Sequence, residues 1–229
     1  MKNTVVIHQP DFAPYIGFFQ RLTNSDLFII LDNVQFVHSN NGWTHRDKIR
    51  TREGEKWITN SVKKTSRNSL INEIIYSKSD WRTRNLNLIK QNYRKAKFFG
   101  TMFPYFEDLY YLKKESLLEF NMIWINSICN LLDLKIDIVY SSQLDVSGAK
   151  NDLIINLLNS VNATDYLSGD GAKAYLEEDI FTENNINLIW QNYSHPIYEQ
   201  QFEGFIPYLS IIDCLLNCGI KQTKDLIIS

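Results

Sequence analysis

His8 opens the run HQPDFAP, which places an imidazole, an amide, a carboxylate and two prolines between two apolar segments. A histidine in such a loop can act as acid or base near neutrality, or donate to a phosphate, with the Gln9 amide beside it. The alternative is a histidine that only hydrogen-bonds its own turn. Asp32, Asn33 and Gln35 follow a second apolar run, DLFIIL. A carboxylate with neighbouring amides can orient a ribose, a sugar hydroxyl or an amine, so Asp32 joins His8 as a candidate catalytic group and Gln35 as a binding group. A polar turn that caps itself is the competing reading.

NNGWTHRDKIR gathers Trp43, His45, Arg46, Lys48 and Arg50 within a few residues. Arg46 or Arg50 can clamp a diphosphate through a planar fork of donors while Trp43 stacks beside it; a charged surface loop is the ordinary alternative. In YLSGDGAKAYL, the segment from Ser168 and Gly169 to Lys173 suits an anion cradled by backbone amides. The pattern is not GxxxxGK[ST], and a tight turn with Lys173 facing solvent fits equally. His195 precedes Pro196, which holds it extended. With Tyr198 and Gln200 it forms either a pocket wall or an aromatic loop packed over a sheet.

Some chemistries are excluded by pattern. The four histidines lack HExxH and HxxxH spacing and the three cysteines are unpaired in ligand spacing, so no metal site is expected. GxSxG and GxGxxG are absent, which argues against a serine hydrolase and a dinucleotide oxidoreductase.

The elements that must position these groups alternate between strands and helices. Thr4–Ile7 and Asp26–Leu31 read as strands, the second too apolar for a half-solvated one. PYIGFFQRL between them reads as a short helix with Pro14 in its first turn. The HQPDFA loop then falls at the carboxyl end of the first strand, where open parallel sheets take ligands. VHSNNGWTHRDKIRTREGE reads as a polar, turn-rich stretch and KWITNSV as a strand. Helices are expected over Trp81–Lys97, Leu117–Leu134, Asn151–Ser160 and LSIIDCLLNCG, the last stopped by Gly219. Strands are expected over Asp137–Tyr140, Ala163–Leu167 and Asn187–Gln191. The alternation predicts an α/β fold, a single domain over residues 1–229 with a mostly parallel central sheet flanked by helices.

At 229 residues, 44% apolar and 22% charged, the chain can bury a core without disulfides. A net charge of −2 gives no reason to expect nucleic acid or an anionic membrane surface as a partner. No apolar run approaches the about 18 residues of a membrane span. The short apolar start does not resemble a signal peptide, so a reducing, cytoplasmic location is expected. Twelve tyrosines, thirteen phenylalanines and five tryptophans suggest a ring-lined cleft or a homo-oligomer interface, without identifying a face.

VVIHQPDFAPYIGFFQRLTNSDLFIILDNVQF, the segment Trp43–Ile49, YLSGDGAKAYL and FIPYLSIIDCLLNCG together resemble the WbqC-like protein family over nearly the whole chain. The resemblance implies a place in bacterial surface-polysaccharide synthesis, including the O-antigen of lipopolysaccharide. The family pattern falls here on His8, Gln9, Pro10, Tyr15, Gly17, Asp32, Gln35, Arg46, Ser168, Gly169, Lys173, Tyr198, Gln200, Phe205, Pro207, Ser210 and Asp213. The first unit also resembles a nucleotidyltransferase-type domain by fold analogy, with HQPDFAPYIGFF in place of HxGH.

The resulting expectation is a transferase that attaches an acyl or aminoacyl group to a nucleotide-linked amino sugar. His8 would take the proton and Asp32 and Gln35 would orient the sugar, while Arg46, with Arg50 or Lys173, holds phosphates. The donor is open between ATP with Mg²⁺ and an acyl thioester. An ATP-dependent adenylyl or nucleotidyl transferase is one alternative, and a non-catalytic nucleotide-sugar-binding protein is the other.

Overall fold

The computed structural model describes residues 2–38 and 42–229, so Asn40 and Asn41 of the NNGW run lie outside the described residues. In chain order the strands are β1 (Thr4–His8), β2 (Leu27–Ile30), β3 (Arg46–Thr51), β4 (Gly54–Thr59), β5 (Asp137–Tyr140), β6 (Asp165–Ser168) and β7 (Asn187–Trp190). The helices are α1 (Ile16–Thr23), α2 (Trp81–Tyr93), α3 (Phe99–Tyr110), α4 (Leu117–Leu131), α5 (Lys150–Ser160), α6 (Glu178–Glu183) and α7 (Ile211–Ile228). The chain divides into two compact units that interleave along the sequence. One comprises Met1–Gln9, Gln20–Asn33 and Lys135–Ser194; the other comprises Pro10–Phe19, Val34–Leu134 and His195–Ser229.

The first unit is built on a parallel sheet in the order β5-β2-β1-β6-β7. Numbered within that sheet, the order is 3-2-1-4-5. The chain adds strands to one side of β1 and then returns to its other side, which makes the β1/β6 neighbourhood the point of reversal. β1 pairs with β2 from Val5↔Leu27 to His8↔Ile30, and with β6 at Thr4↔Asp165 and Val5↔Tyr166. Phe28, Ile29 and Ile30 are fully buried, as expected for a strand covered on both faces. Ile29 packs in a cluster with Val5, Ile7, Leu157, Leu158 and Phe181. Each such fully buried side chain contributes about 1.5–3 kcal/mol of transfer free energy.

The second unit holds most of the aromatic excess in its core. Phe12, Trp81, Phe106, Tyr110, Phe120 and Trp124 are fully buried. Phe12 sits 5.2 Å from Trp124 between ring centroids, and Phe106 stacks on Trp124 at 5.7 Å. The rings that suggested a cleft or an interface are therefore mainly packing.

Strand β3 and helices α3 and α6 are absent from the sequence reading. RDKIRT is strand β3, paired antiparallel with β4 in register Arg46↔Thr59 through Thr51↔Gly54. Four of its six residues are charged, and buried Asp47 breaks the apolar alternation that would mark a strand, while the turn is closed by Gly54 at φ 127°. Helix α3 contains Pro104, which cannot donate back to the Gly100 carbonyl and so resembles a break. Burial of Met102, Phe106 and Tyr110 holds the helix together across it.

α1 begins at Ile16, two residues after Pro14. Gly219 interrupts α7 and does not end it: it takes φ 71°, and helical residues resume beyond it. A Cβ at Gly219 would lie 2.7 Å from the Phe98 ring, so both conformation and space require glycine.

Candidate functional site

The carboxyl ends of the parallel strands assemble polar side chains in the first unit. β1 ends at His8, β6 at Ser168 and then Gly169, and these flank the reversal of strand order. His8 Nδ1–H donates to the Gln9 carbonyl at 2.9 Å. A carbonyl can only accept, so this bond fixes the tautomer and makes Nε2 the basic nitrogen. Burial, followed by the nearby Arg21 charge, pushes the His8 pKa down to about 3, against the pull of the Gln9 bond. His8 is therefore a neutral imidazole at physiological pH.

Arg21 is the residue at this edge that the sequence reading missed. It lies in the last turn of α1, is 4% exposed, and rests against the Gly169 backbone: an ideal Cβ at Gly169 would fall 2.0 Å from Arg21 Nη1. Its charge also bears on Tyr166 and Tyr175. At 100° per residue Arg21 falls on one stripe with Gly17 and Gln20, opposite Phe18, Phe19 and Leu22, a stripe that reads as solvent-facing. In the structure Gln20 accepts from Gln191 Nε2 at 2.6 Å, just beyond the end of β7. The polar stripe of α1 thus serves the strand ends. The available signal was the loop glycine, Gly169, which admits a bulky neighbour.

Asp32 has a different position from a substrate-facing carboxylate. It is 2% exposed, and its Oδ1 accepts from Ser141 Oγ at 2.9 Å and Ser142 N–H at 2.9 Å, while Oδ2 accepts from Ser142 Oγ at 2.7 Å. Asp32 clasps the ends of β2 and β5, a positioning role that sets the edge of the site. Lys173 pairs with Asp170 at 2.7 Å and donates to Asn192 Oδ1 at 3.2 Å, which places it among the loops after β6 and β7.

The remaining candidates belong to the second unit, in four settings, two of which touch where the His195 and Tyr198 rings lie 6.0 Å apart. Arg50, Tyr198 and Gln200 converge on Asp213, which has no exposed surface. Tyr93 OH donates to Asp213 Oδ1 at 2.7 Å; Tyr198 OH at 2.8 Å and Gln200 Nε2 at 2.9 Å donate to Oδ2. Tyr93 OH in turn accepts from Arg50 N–H at 2.7 Å, and Arg50 Nη2 donates to the Glu203 carbonyl at 2.6 Å. Desolvation raises the Asp213 pKa, opposed by these hydrogen bonds and the Arg50 charge. This buried network fixes α7 against the loop before it, although Arg50 Nε has no hydrogen-bond partner among the described residues.

Trp43 and Arg46 meet Trp57 on the β3–β4 hairpin. The Arg46 guanidinium lies 4.1 Å from the Trp57 ring centroid, and the two indoles are 5.1 Å apart. Arg46 Nε donates to the Gly42 carbonyl at 3.1 Å. Tyr15 and His195 both pack against Tyr208, at 5.7 and 5.2 Å between rings, and His195 Nδ1–H donates to the Pro196 carbonyl. Gln35 stands apart, donating to the Arg67 carbonyl at 2.7 Å. The HQPDFAP run itself is shared: His8 and Gln9 finish the first unit, whereas Phe12 plugs the second unit's core and the Pro10 carbonyl accepts from Asn121.

Among the described residues no group of three or more His, Cys, Asp or Glu could hold a metal ion, and no helix is long and apolar enough to cross a membrane. The sequence model of the WbqC-like protein family matches residues 9–225. The chain is also similar to a Mycobacterium tuberculosis (strain ATCC 25618 / H37Rv) protein named Uncharacterized protein Rv1507c. The two are 30% identical over 224 residues, covering 96% of each. No solved structure gives a significant match.

Proposed function

The chain belongs to the WbqC-like protein family, and from that membership and the sheet edge we propose that it is a transferase acting on a nucleotide-linked amino sugar, adding an acyl or aminoacyl group in surface-polysaccharide synthesis. The observation that carries this reading is the 3-2-1-4-5 parallel sheet with neutral His8 and the Arg21–Gly169 contact at its point of reversal. Open α/β sheets receive nucleotides in that crevice. The strand order also keeps the nucleotidyltransferase analogy as part of the proposal, and the polysaccharide setting comes from the family resemblance.

Arg21 supplies a positive charge beside His8, suited to a phosphate or to the oxyanion of an acyl-transfer intermediate. The sugar amine attacks the acyl carbonyl, a C–N bond forms, and the bond to the thiolate or adenylate leaving group breaks. The proton lost by the amine passes to His8 Nε2. Burial is the larger cause of the low His8 pKa and the Arg21 charge the lesser, so an anion beside Arg21 would offset that second part and raise the pKa towards the range where a base works best. Base strength would thereby depend on an occupied site.

Incubating the protein with a dTDP-linked or UDP-linked 4-amino sugar and either an acyl thioester, or ATP–Mg²⁺ with an amino acid, tests this reading by mass spectrometry. N-acylated nucleotide sugar, formed by the wild type and lost in His8→Ala, is the expected product. Pyrophosphate release with transfer of a nucleotidyl group would establish the nucleotidyl-transfer alternative, and binding without turnover would establish a binding protein.

A further inference from the structure

The second unit carries a concavity of about 550 Å³ between strand β4 and helix α2. α2 contributes Arg84, Asn85, Asn87, Leu88 and Gln91, and Asp80 lies at its N-cap, so one side of the helix lines it. β4 contributes Lys56, Trp57 and Thr59. From this arrangement we propose a binding site for an anionic sugar, a pyranose ring carrying one carboxylate or phosphate, distinct from the sheet edge of the first unit and independent of the function proposed for it.

Three observations carry the assignment. First, Trp57 is the aromatic residue of the lining, and its ring is held by Arg46 at 4.1 Å, Trp43 at 5.1 Å and Lys48 at 5.1 Å. An indole with a fixed orientation gives a sugar's C–H face a platform at little entropic cost. Second, half of the remaining lining is hydroxyl or amide: Thr59, Asn87 and Gln91 supply both donors and acceptors, matching the dual character of ring hydroxyls, while Asn85 is buried with its amide turned to Thr59 and Asn60. A planar base would need more apolar lining than Trp57 and Leu88 provide.

Third, the charge is unbalanced. Lys56 and Arg84 face one carboxylate, Asp80, and neither cation forms a salt bridge among the described residues. Arg84 stands four residues after the N-cap Asp80, and the two form no ion pair. Arg84 donates instead to Ser61 Oγ at 3.2 Å. Two cations kept off the local acid favour an anionic group on the ligand.

Calorimetric titration of the full chain with D-glucuronate, glucose 6-phosphate, glucose, inorganic phosphate and adenosine 5′-monophosphate tests the site. Saturable binding of glucuronate or glucose 6-phosphate is expected, and whichever binds tighter identifies carboxylate or phosphate as the anion. That binding should weaken at least about tenfold in Arg84→Gln and in Gln91→Ala, both exposed positions, and be unchanged in His8→Ala. Glucose should bind at least about tenfold more weakly than the preferred anionic sugar. The proposal is overturned if neither anionic sugar binds, if glucose binds as well, if inorganic phosphate or the nucleotide binds tighter, or if Arg84→Gln has no effect.

Discussion

Gly169→Ala probes the centre of the sheet-edge site through a steric argument with a change of sign. Gly169 has φ −73° and ψ 151°, a conformation open to any residue, so alanine brings no backbone strain. By narrowing the unfolded ensemble, alanine at such a position stabilises by about 0.4–1 kcal/mol. Its Cβ, however, would stand 2.0 Å from Arg21 Nη1 and 3.3 Å from Arg21 Cζ. Arg21 is 4% exposed, so its guanidinium has little room to retreat. Overpacking of this kind costs about 1–3 kcal/mol, which outweighs the entropic gain.

Denaturant unfolding should therefore find Gly169→Ala destabilised by about 1–3 kcal/mol, and a thermal melt should find its midpoint lower by about 2–12 °C in a chain of this size. In an Arg21→Ala background the clash is gone, and the same substitution should stabilise by about 0.4–1 kcal/mol. A neutral Gly169→Ala in the wild type, or an equal cost in both backgrounds, would refute the placement of Arg21 against Gly169.

Ser141→Ala, which removes the one hydroxyl that Asp32 Oδ1 and Asn33 Oδ1 share at a fully buried position, should cost about 1–3 kcal/mol in chemical denaturation. Tyr93→Phe leaves Arg50 N–H and Asp213 short of a partner and should cost about 1–3 kcal/mol; an unchanged midpoint would show that the Asp213 network is not closed as described. The pKa of His8 falls from 6.5 unfolded to about 3 folded, so between those values the unfolded chain binds the extra proton and stability drops as pH falls. Replacing it in His8→Gln should flatten that stretch of the stability profile by up to about 1.4 kcal/mol per pH unit, and an unaltered slope would show that His8 titrates normally.

The parallel sheet was legible because its strands are short, β-branched and apolar on both faces: TVVI and LFII have no other fitting place in a folded chain. His8 and Gly169 were legible for the same reason, each sitting where an apolar strand stops. Arg21 was not, because helical periodicity assigns it to a polar stripe, and only the strand order shows what that stripe covers. Strand β3 was hidden by charges whose partners, such as Trp57 opposite Lys48, lie on another segment.

Arg50 was legible only as a phosphate clamp, and Tyr198 and Gln200 only as a pocket wall or packed loop, with nothing joining the two. Their meeting in a buried network around Asp213 depends on contacts between residues more than a hundred positions apart, such as Tyr93 and Asp213. Sequence spacing carries no trace of them.

The most direct test of the central claim is calorimetric titration of the protein with a dTDP-linked 4-amino sugar, in the wild type, Arg21→Gln and Gly169→Ala. Saturable binding that weakens at least about tenfold in both variants is the predicted result. Absence of binding, or binding indifferent to both substitutions, would contradict a nucleotide-sugar site at the β1/β6 edge.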